Sequence, residues 1–308
     1  MTEPPASRLT LFAALAANLG IAIAKFVAAG ITGSSAMLTE GFHSVVDSLN
    51  QLLLLYGQKR SEQPPDERHP LGYGRELYFW SFVVAILIFA TGAGLSIYEG
   101  ILHIRAPEPI RSPLVNYIVL AVALLLEGAS WLIAVREFGR ARGDFGWWAA
   151  IRHSKDPASF IVLFEDSAAL FGLLVAGAGI TLSLHTGDPR WDGLASIVIG
   201  LALAGVALAL ARESKGLLIG EPADPALEAA VRAAIDRRPE VSGINEITTV
   251  HLGPRNIFLG LSVDFVDRVP VGRIEAMIAE AEAELRERWP SIRAIYIKPQ
   301  AEAGRRGG

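Results

Sequence analysis

The residues best placed to do chemistry are ionisable groups set inside long apolar runs. One run reads LTEGFHSVVDSLNQ and carries Glu40, His43, Asp47 and Asn50. Their spacings of 3, 4 and 3 put all four on one face of a helix. His43 and Asp47 stand one turn apart, so an imidazole nitrogen and a carboxylate oxygen can share one divalent cation. Zinc suits that mixture, with bonds of about 2.0–2.2 Å. A later run, VLFEDSAALFG, holds Glu165 and Asp166 side by side, which turns them about 100° apart on a helix. Asp166 added to His43 and Asp47 gives three ligands from two helices. Water, Glu165 or a backbone oxygen would be the fourth.

The competing reading is an interhelical seam of hydrogen bonds, with Glu165 or Asp166 paired to Lys25, the one Lys inside an apolar run. Each ionisable group costs roughly 2.5–3.5 kcal/mol in lipid on the lower scale, and a seam needs few of them, so the cation site is favoured. Lys25, Glu40, Asn50 and Glu127 form a second set, a polar seam or a proton relay, and Glu127 is left between pairing with Lys25 and relaying protons. Asn18 is expected to hydrogen-bond between helices. Asp192, after Pro189, is read as the N-cap of its own helix. His69, His103, His153 and His185 fall in or near loops and are read as solvated, and His251 falls on a strand.

Six apolar segments must position these groups: Leu9–Gly30, Ser35–Tyr56, Leu77–Ile97, Leu114–Val135, Ala158–Leu184 and Leu194–Ala211. Each is long enough, or nearly so, for the about 20 residues a membrane helix needs. They are apolar nearly all round, whereas helices of a soluble bundle carry a charged face. Charge is divided to match: 31 of residues 1–211 but 29 of the 97 residues 212–308 are Asp, Glu, Lys or Arg. Twelve Lys and Arg fall in or beside the loops on one side and three on the other. That bias predicts a cytoplasmic location for both termini and for the tail. Trp147 and Trp148 are expected at the membrane interface. The run SEQPPDERHPLGYGR, ending at Arg75, reads as a linker, with its GYGR a turn.

The tail changes character. Asp224–Arg238 has helical periodicity, with Asp224 as N-cap and Pro225 at the first helical position. Ile244–Leu252 and Asn256–Phe265 read as strands around the Gly253-Pro254 turn, Val271–Trp289 as a helix, and Arg293–Ile297 as a last strand. The order α-β-β-α-β predicts a small two-layer domain with helices on one face of a sheet. The expected division is 1–211 for the membrane part and 212–308 for the soluble domain.

Other classes are disfavoured. With no Cys, disulfides and thiolate metal sites are excluded. A net charge of −4 gives no basic surplus for nucleic acid. No Gly-rich phosphate loop or persuasive Ser-His-Asp order is present. MTEPPASRLT does not read as a cleaved signal, and the closing AEAGRRGG is expected to fray. An intramembrane metalloenzyme, with Glu165 or Glu40 as base, and a non-transporting scaffold stand as alternatives from other classes.

The run TGSSAMLTEGFHSVVDSLNQ, the six spans and the α-β-β-α-β tail together resemble the cation diffusion facilitators over nearly the whole chain. HPLGYGR is similar to a His-Pro-x-Gly-x-x-Arg-type segment of that family. EDSAAL and EGAS look like its zinc transporter 9-like subgroup. The resemblance implies a homodimer in the inner membrane that exports a divalent cation, zinc by preference, in exchange for protons by alternating access. It implies a ferredoxin-like tail, no resident cofactor, and no enzymatic activity. It carries His43, Asp47 and Asp166 over as ligands. The usual fourth position, four residues before that Asp, is Val162 here, which leaves Glu165 or water. Where the family often places metal-binding His and Asp on the tail's strands, this chain has Asn245, Ser262, Tyr296 and Lys298, so the tail is expected to dimerise and bind little metal. The same ligand chemistry admits iron(II), cobalt or manganese as cargo.

Overall fold

The computed structural model describes residues 8–143 and 145–301, with side chains from Asn18 onward except at Ala141. The N-terminal stretch read as uncleaved falls mostly outside the described residues, as does the tail 302–308. The helices of the membrane part are α1 (Arg8–Thr32), α2 (Ser35–Ser61), α3 (Glu76–Leu87), α4 (Gly94–Arg105), α5 (Pro113–Ala141), α6 (Trp147–His153), α7 (Pro157–Thr186) and α8 (Arg190–Ile219). A π-helical segment, Ile88–Ala93, joins α3 to α4, so Glu76–Arg105 runs as one rod.

Among the described residues, four helices are long and apolar enough to cross a membrane: Glu76–Arg105, Pro113–Arg140, Pro157–Thr186 and Arg190–Ile219. The protein is a multi-pass membrane protein. Its outward faces carry large apolar side chains such as Leu114, Leu125, Leu174 and Leu208, which lipid accommodates and water would not. Inside, Val84, Ile88, Phe160, Ile161, Ile180, Ile199 and Leu203 are buried together. Local chemistry sets the helix ends. Gly33, at φ +72°, turns the chain from α1 into α2. Asp156 accepts from the Ala158 N–H at 3.2 Å ahead of Pro157 and caps α7. Gly187, left-handed at φ +68°, ends it.

α4 and α8 approach closely because both present glycine at the crossing. A Cβ on Gly100 would lie 2.5 Å from the Gly193 carbonyl oxygen, and one on Gly200 3.0 Å from the Ala93 carbonyl oxygen. This is the small-residue packing that membrane helices use where no hydrophobic force separates helix from lipid.

The chain divides into two compact units, Met1–Gly57 with Phe79–Ser214, and Gln58–Tyr78 with Lys215–Gly308. The second contains α9 (Pro225–Asp236), β1 (Val241–Gly253), β2 (Asn256–Phe265), α10 (Val271–Arg288) and β3 (Ile292–Pro299). The sheet order is β1-β2-β3, with β1 antiparallel to β2 and β3 parallel to β2. Asp224 caps α9 by accepting from the Ala226 N–H at 2.7 Å, with Pro225 next in the chain, as read. Both helices bury Val231, Ile235, Met277 and Leu285 against Leu259, Leu261, Val263 and Ile295. Each such burial contributes about 1.5–3 kcal/mol. The tail therefore has the expected α-β-β-α-β order on a small sheet.

The segment after α2 also belongs to this second unit. Its GYGR turn packs on the β1–β2 hairpin, where a Cβ on Gly74 would collide with the Leu252 carbonyl oxygen. Asp66 organises the turn. It accepts from the Tyr73 hydroxyl at 2.7 Å and from the N–H groups of His69 and Arg68 at 2.7 and 3.0 Å. These bonds, the Tyr73 hydroxyl first, hold the Asp66 carboxyl below its ordinary range.

The last apolar run ends at Ala211, and α8 continues past it to Ile219. Arg212, Glu213 and Lys215 end the hydropathy, but they are good helix formers and do not end the helix. His103, read as solvated, is buried with its Nε2 3.9 Å from Asp192.

Candidate metal centre

α2 carries its polar face into the bundle. Glu40, His43 and Asn50 are buried, and Asp47 is partly so. The periodicity read from the sequence thus becomes a polar column along one helix, with partners on α1 and α7.

At its centre the His43 Nδ1 lies 3.2 Å from Asp47 Oδ1, one turn along. The other ring nitrogen, Nε2, is buried with no hydrogen-bond partner among the described residues. An imidazole with one nitrogen beside a carboxylate and the other without a partner has the elements that metal-ligating histidines use.

On α7, Asp166 accepts from the Ser130 hydroxyl of α5 at 3.0 Å. Its neighbour Glu165 turns elsewhere, as the 100° offset requires, and accepts from the Asn50 side chain at 2.7 Å. Val162, one turn before Asp166, offers no ligand.

A cavity of about 150 Å³ opens between α1, α2, α5 and α7. Asp47 and Asp166 both line it, with Ser44, Gln51, Glu127 and Ser130. That volume admits several water-sized groups. His43 and Glu165 are not among its lining residues. Among the described residues, no group of three or more His, Asp or Glu side chains stands close enough to hold a metal ion.

The second set forms a network around Lys25. Its ammonium donates to Glu40 Oε2 at 3.0 Å, Ser44 Oγ at 2.8 Å and Glu127 Oε1 at 2.8 Å. The pairing of Glu127 with Lys25 is therefore present. A pairing of Lys25 with Glu165 or Asp166 is not, because all three donors of the ammonium are already taken. Asn18 donates to Gln51 of α2 at 3.2 Å, the expected interhelical bond.

Asp192 is a second correction at the level of side chains. It is fully buried and caps α2, which it reaches across the bundle, while its own helix begins two residues earlier. It accepts from Ser34 Oγ at 2.8 Å and from the N–H groups of Ser35 and Ala36 at 2.5 and 3.3 Å. Sequence reasoning also missed Ser44 and Ser130. Both follow from the helical spacing of their neighbours, since Ser44 is four residues after Glu40 and Ser130 three after Glu127.

A model of the cation efflux transmembrane domain matches residues 11–219. The mitochondrial proton-coupled zinc antiporter SLC30A9 of Xenopus laevis is 36% identical over 248 residues, 80% of this chain and 44% of that protein. Its human counterpart is 35% identical, with the same coverage of each chain. The cation-efflux pump FieF of Cronobacter sakazakii is 27% identical over 295 residues, 94% of this chain and 91% of the pump. The chain spans less than half the length of the antiporters it matches.

Proposed function

The chain belongs to the cation efflux family, and on that premise we propose that it carries a divalent cation, zinc by preference, across a membrane in exchange for protons. The observation that carries this reading is the shared cavity: carboxylates from two helices, Asp47 of α2 and Asp166 of α7, line one space inside an apolar bundle. Zinc is preferred because His43, whose Nδ1 lies 3.2 Å from cavity-lining Asp47, keeps an imidazole nitrogen without a partner among the described residues and because the similar antiporters are named for zinc. The family is one of transporters, which sets the metalloenzyme reading aside.

In the proposed cycle His43, Asp47 and Asp166 hold the ion, with water or Glu165 as the fourth group. The ion needs neutral imidazole and ionised carboxylates, so its arrival displaces protons. Protons from the opposite side then release it, and access alternates around the cavity. Binding would require His43 to turn toward the cavity that Asp47 and Asp166 line.

The same reading makes α1 and α2 the first two of six passes. α1 is 25 residues long and apolar, and α2 is 27 residues long with its charged groups turned toward partners. Both termini and the ferredoxin-like tail are cytoplasmic by the distribution of Lys and Arg, and the tail joins two copies into a homodimer. A bacterial-type inner membrane is the proposed location, with 1–211 and 212–308 as the working division.

Uptake by proteoliposomes across zinc, iron(II), cobalt and manganese tests the cargo, with Val162→His alongside. Zinc should lead in the natural chain, and His at 162 should tighten zinc further. Equal uptake of all four ions by both proteins would overturn the preference.

A further inference from the structure

Lys25 is completely buried in α1, and its bonding partners are all side chains. Its three N–H donors are used by Glu40, Ser44 and Glu127. Those acceptors do not all face one place. Ser44 and Glu127 line the cavity together with Asp47 and Asp166, while Lys25 and Glu40 are not among its lining residues. Among the described residues, each of the two glutamates keeps one oxygen without a hydrogen-bond partner, Oε1 of Glu40 and Oε2 of Glu127. Room for the Glu40 oxygen comes from α7, where a Cβ on Gly172 would collide with it.

The charges around the cavity do not balance on their own. Asp47, Glu127 and Asp166 line it and Glu40 stands behind, against the ammonium of Lys25 and, when protonated, the His43 imidazole beside Asp47. Uncompensated carboxylates in a low-dielectric interior are costly. A divalent cation in the cavity would compensate two of them, and its departure would expose them again. Lys25 reaches the cavity wall. Its compact ammonium sits on a flexible four-carbon stem and is already bonded to the cavity wall through Glu127.

We propose that Lys25 is a tethered counter-cation, which holds Glu127 at the cavity wall and stands in for the transported ion when the cavity is empty. The proposal rests on the transport reading above and names a positioning residue for it. With the ion bound, Glu127 is drawn toward the cavity and the ammonium keeps Glu40 and Ser44. With the ion gone and protons taken up by the ligands, the ammonium recovers Glu127 and lowers the cost of the zinc-free, proton-loaded state. Lys25 thereby governs the return of the zinc-free, proton-loaded protein. Net transport needs that step, and zinc-for-zinc exchange skips it.

The test uses the 308-residue chain in liposomes at equal pH on both sides. Net zinc uptake into empty vesicles is compared with exchange of labelled zinc into zinc-loaded vesicles. Lys25→Met should lower the ratio of net uptake to exchange at least about tenfold, and Lys25→Arg should restore most of it. Because Lys25→Met leaves two buried carboxylates unpaired, Lys25→Met with Glu40→Gln is made alongside to relieve the fold, and it should show the same lowered ratio. A ratio unchanged in both Met variants overturns the proposal alone, whether their total flux is full or reduced. No zinc movement by the unmodified chain overturns the transport reading and this proposal with it.

Discussion

The Asp192 carboxylate, at the head of α8, accepts from the backbone N–H of Ser35, at the head of α2 and 157 positions away in the chain. Ser34 Oγ and the Ala36 N–H share the same carboxylate. The first turn of α2 therefore has its unsatisfied N–H groups met by another helix. α2 is also the helix that carries His43 and Asp47, so this cap fixes the end of the element on which the proposed site stands.

Asp192→Ala should destabilise the protein by about 2–3 kcal/mol, because buried donors lose a charged acceptor. Asp192→Asn keeps an acceptor oxygen and should cost less. Thermal unfolding in detergent checks the order. An Ala variant as stable as the natural protein would show that the cap contributes nothing.

The α4–α8 crossing predicts a contrast between glycines. Gly100→Ala places a methyl 2.5 Å from the Gly193 carbonyl oxygen, which backbone cannot yield cheaply, and should cost about 1–3 kcal/mol. Gly205 on α8 has nothing within 4 Å of its virtual Cβ, so Gly205→Ala should be neutral or slightly stabilising. Equal melting temperatures for the two variants would count against the close crossing.

Much of this fold was legible in the sequence. Apolar runs mark the helices because lipid demands them, and the tail shows its strands and helices through their separate periods. The π-helical segment Ile88–Ala93 is not legible, since hydropathy is blind to a change of hydrogen-bond register. Asp192 is misread for a related reason. A local pattern reveals that a carboxylate is near a helix start, while the helix it caps is fixed by packing between distant residues. The polar face of α2 is read correctly because it depends on spacing within one helix. Lys25 could be assigned to several carboxylates from sequence, and only the packing of α1 against α2 and α5 chooses Glu40 and Glu127.

The Asp66 turn gives a pH prediction. Its carboxyl lies below the ordinary range in the folded protein, chiefly through the Tyr73 hydroxyl. A depressed folded value means that the contribution to stability is present above the unfolded pKa of about 4 and is lost as pH falls through the folded value. Asp66→Asn should therefore increase hydrogen exchange in the segment 66–76 at neutral pH. The difference between the two proteins should shrink as pH is lowered below about 4. A difference that stays constant with pH would show that charge at Asp66 does not hold the turn.

Zinc flux in proteoliposomes, measured for Asp47→Asn and Asp166→Asn beside Glu165→Gln, tests the central claim most directly. Asn and Gln keep the shape of the side chains and remove their charge. Both Asp variants should lose at least about tenfold in flux while remaining folded. Glu165→Gln should lose less, since Glu165 is bonded to Asn50 and is not among the residues lining the cavity. Flux undiminished in both Asp variants would contradict the account, because the cavity they line would then not be the path of the ion.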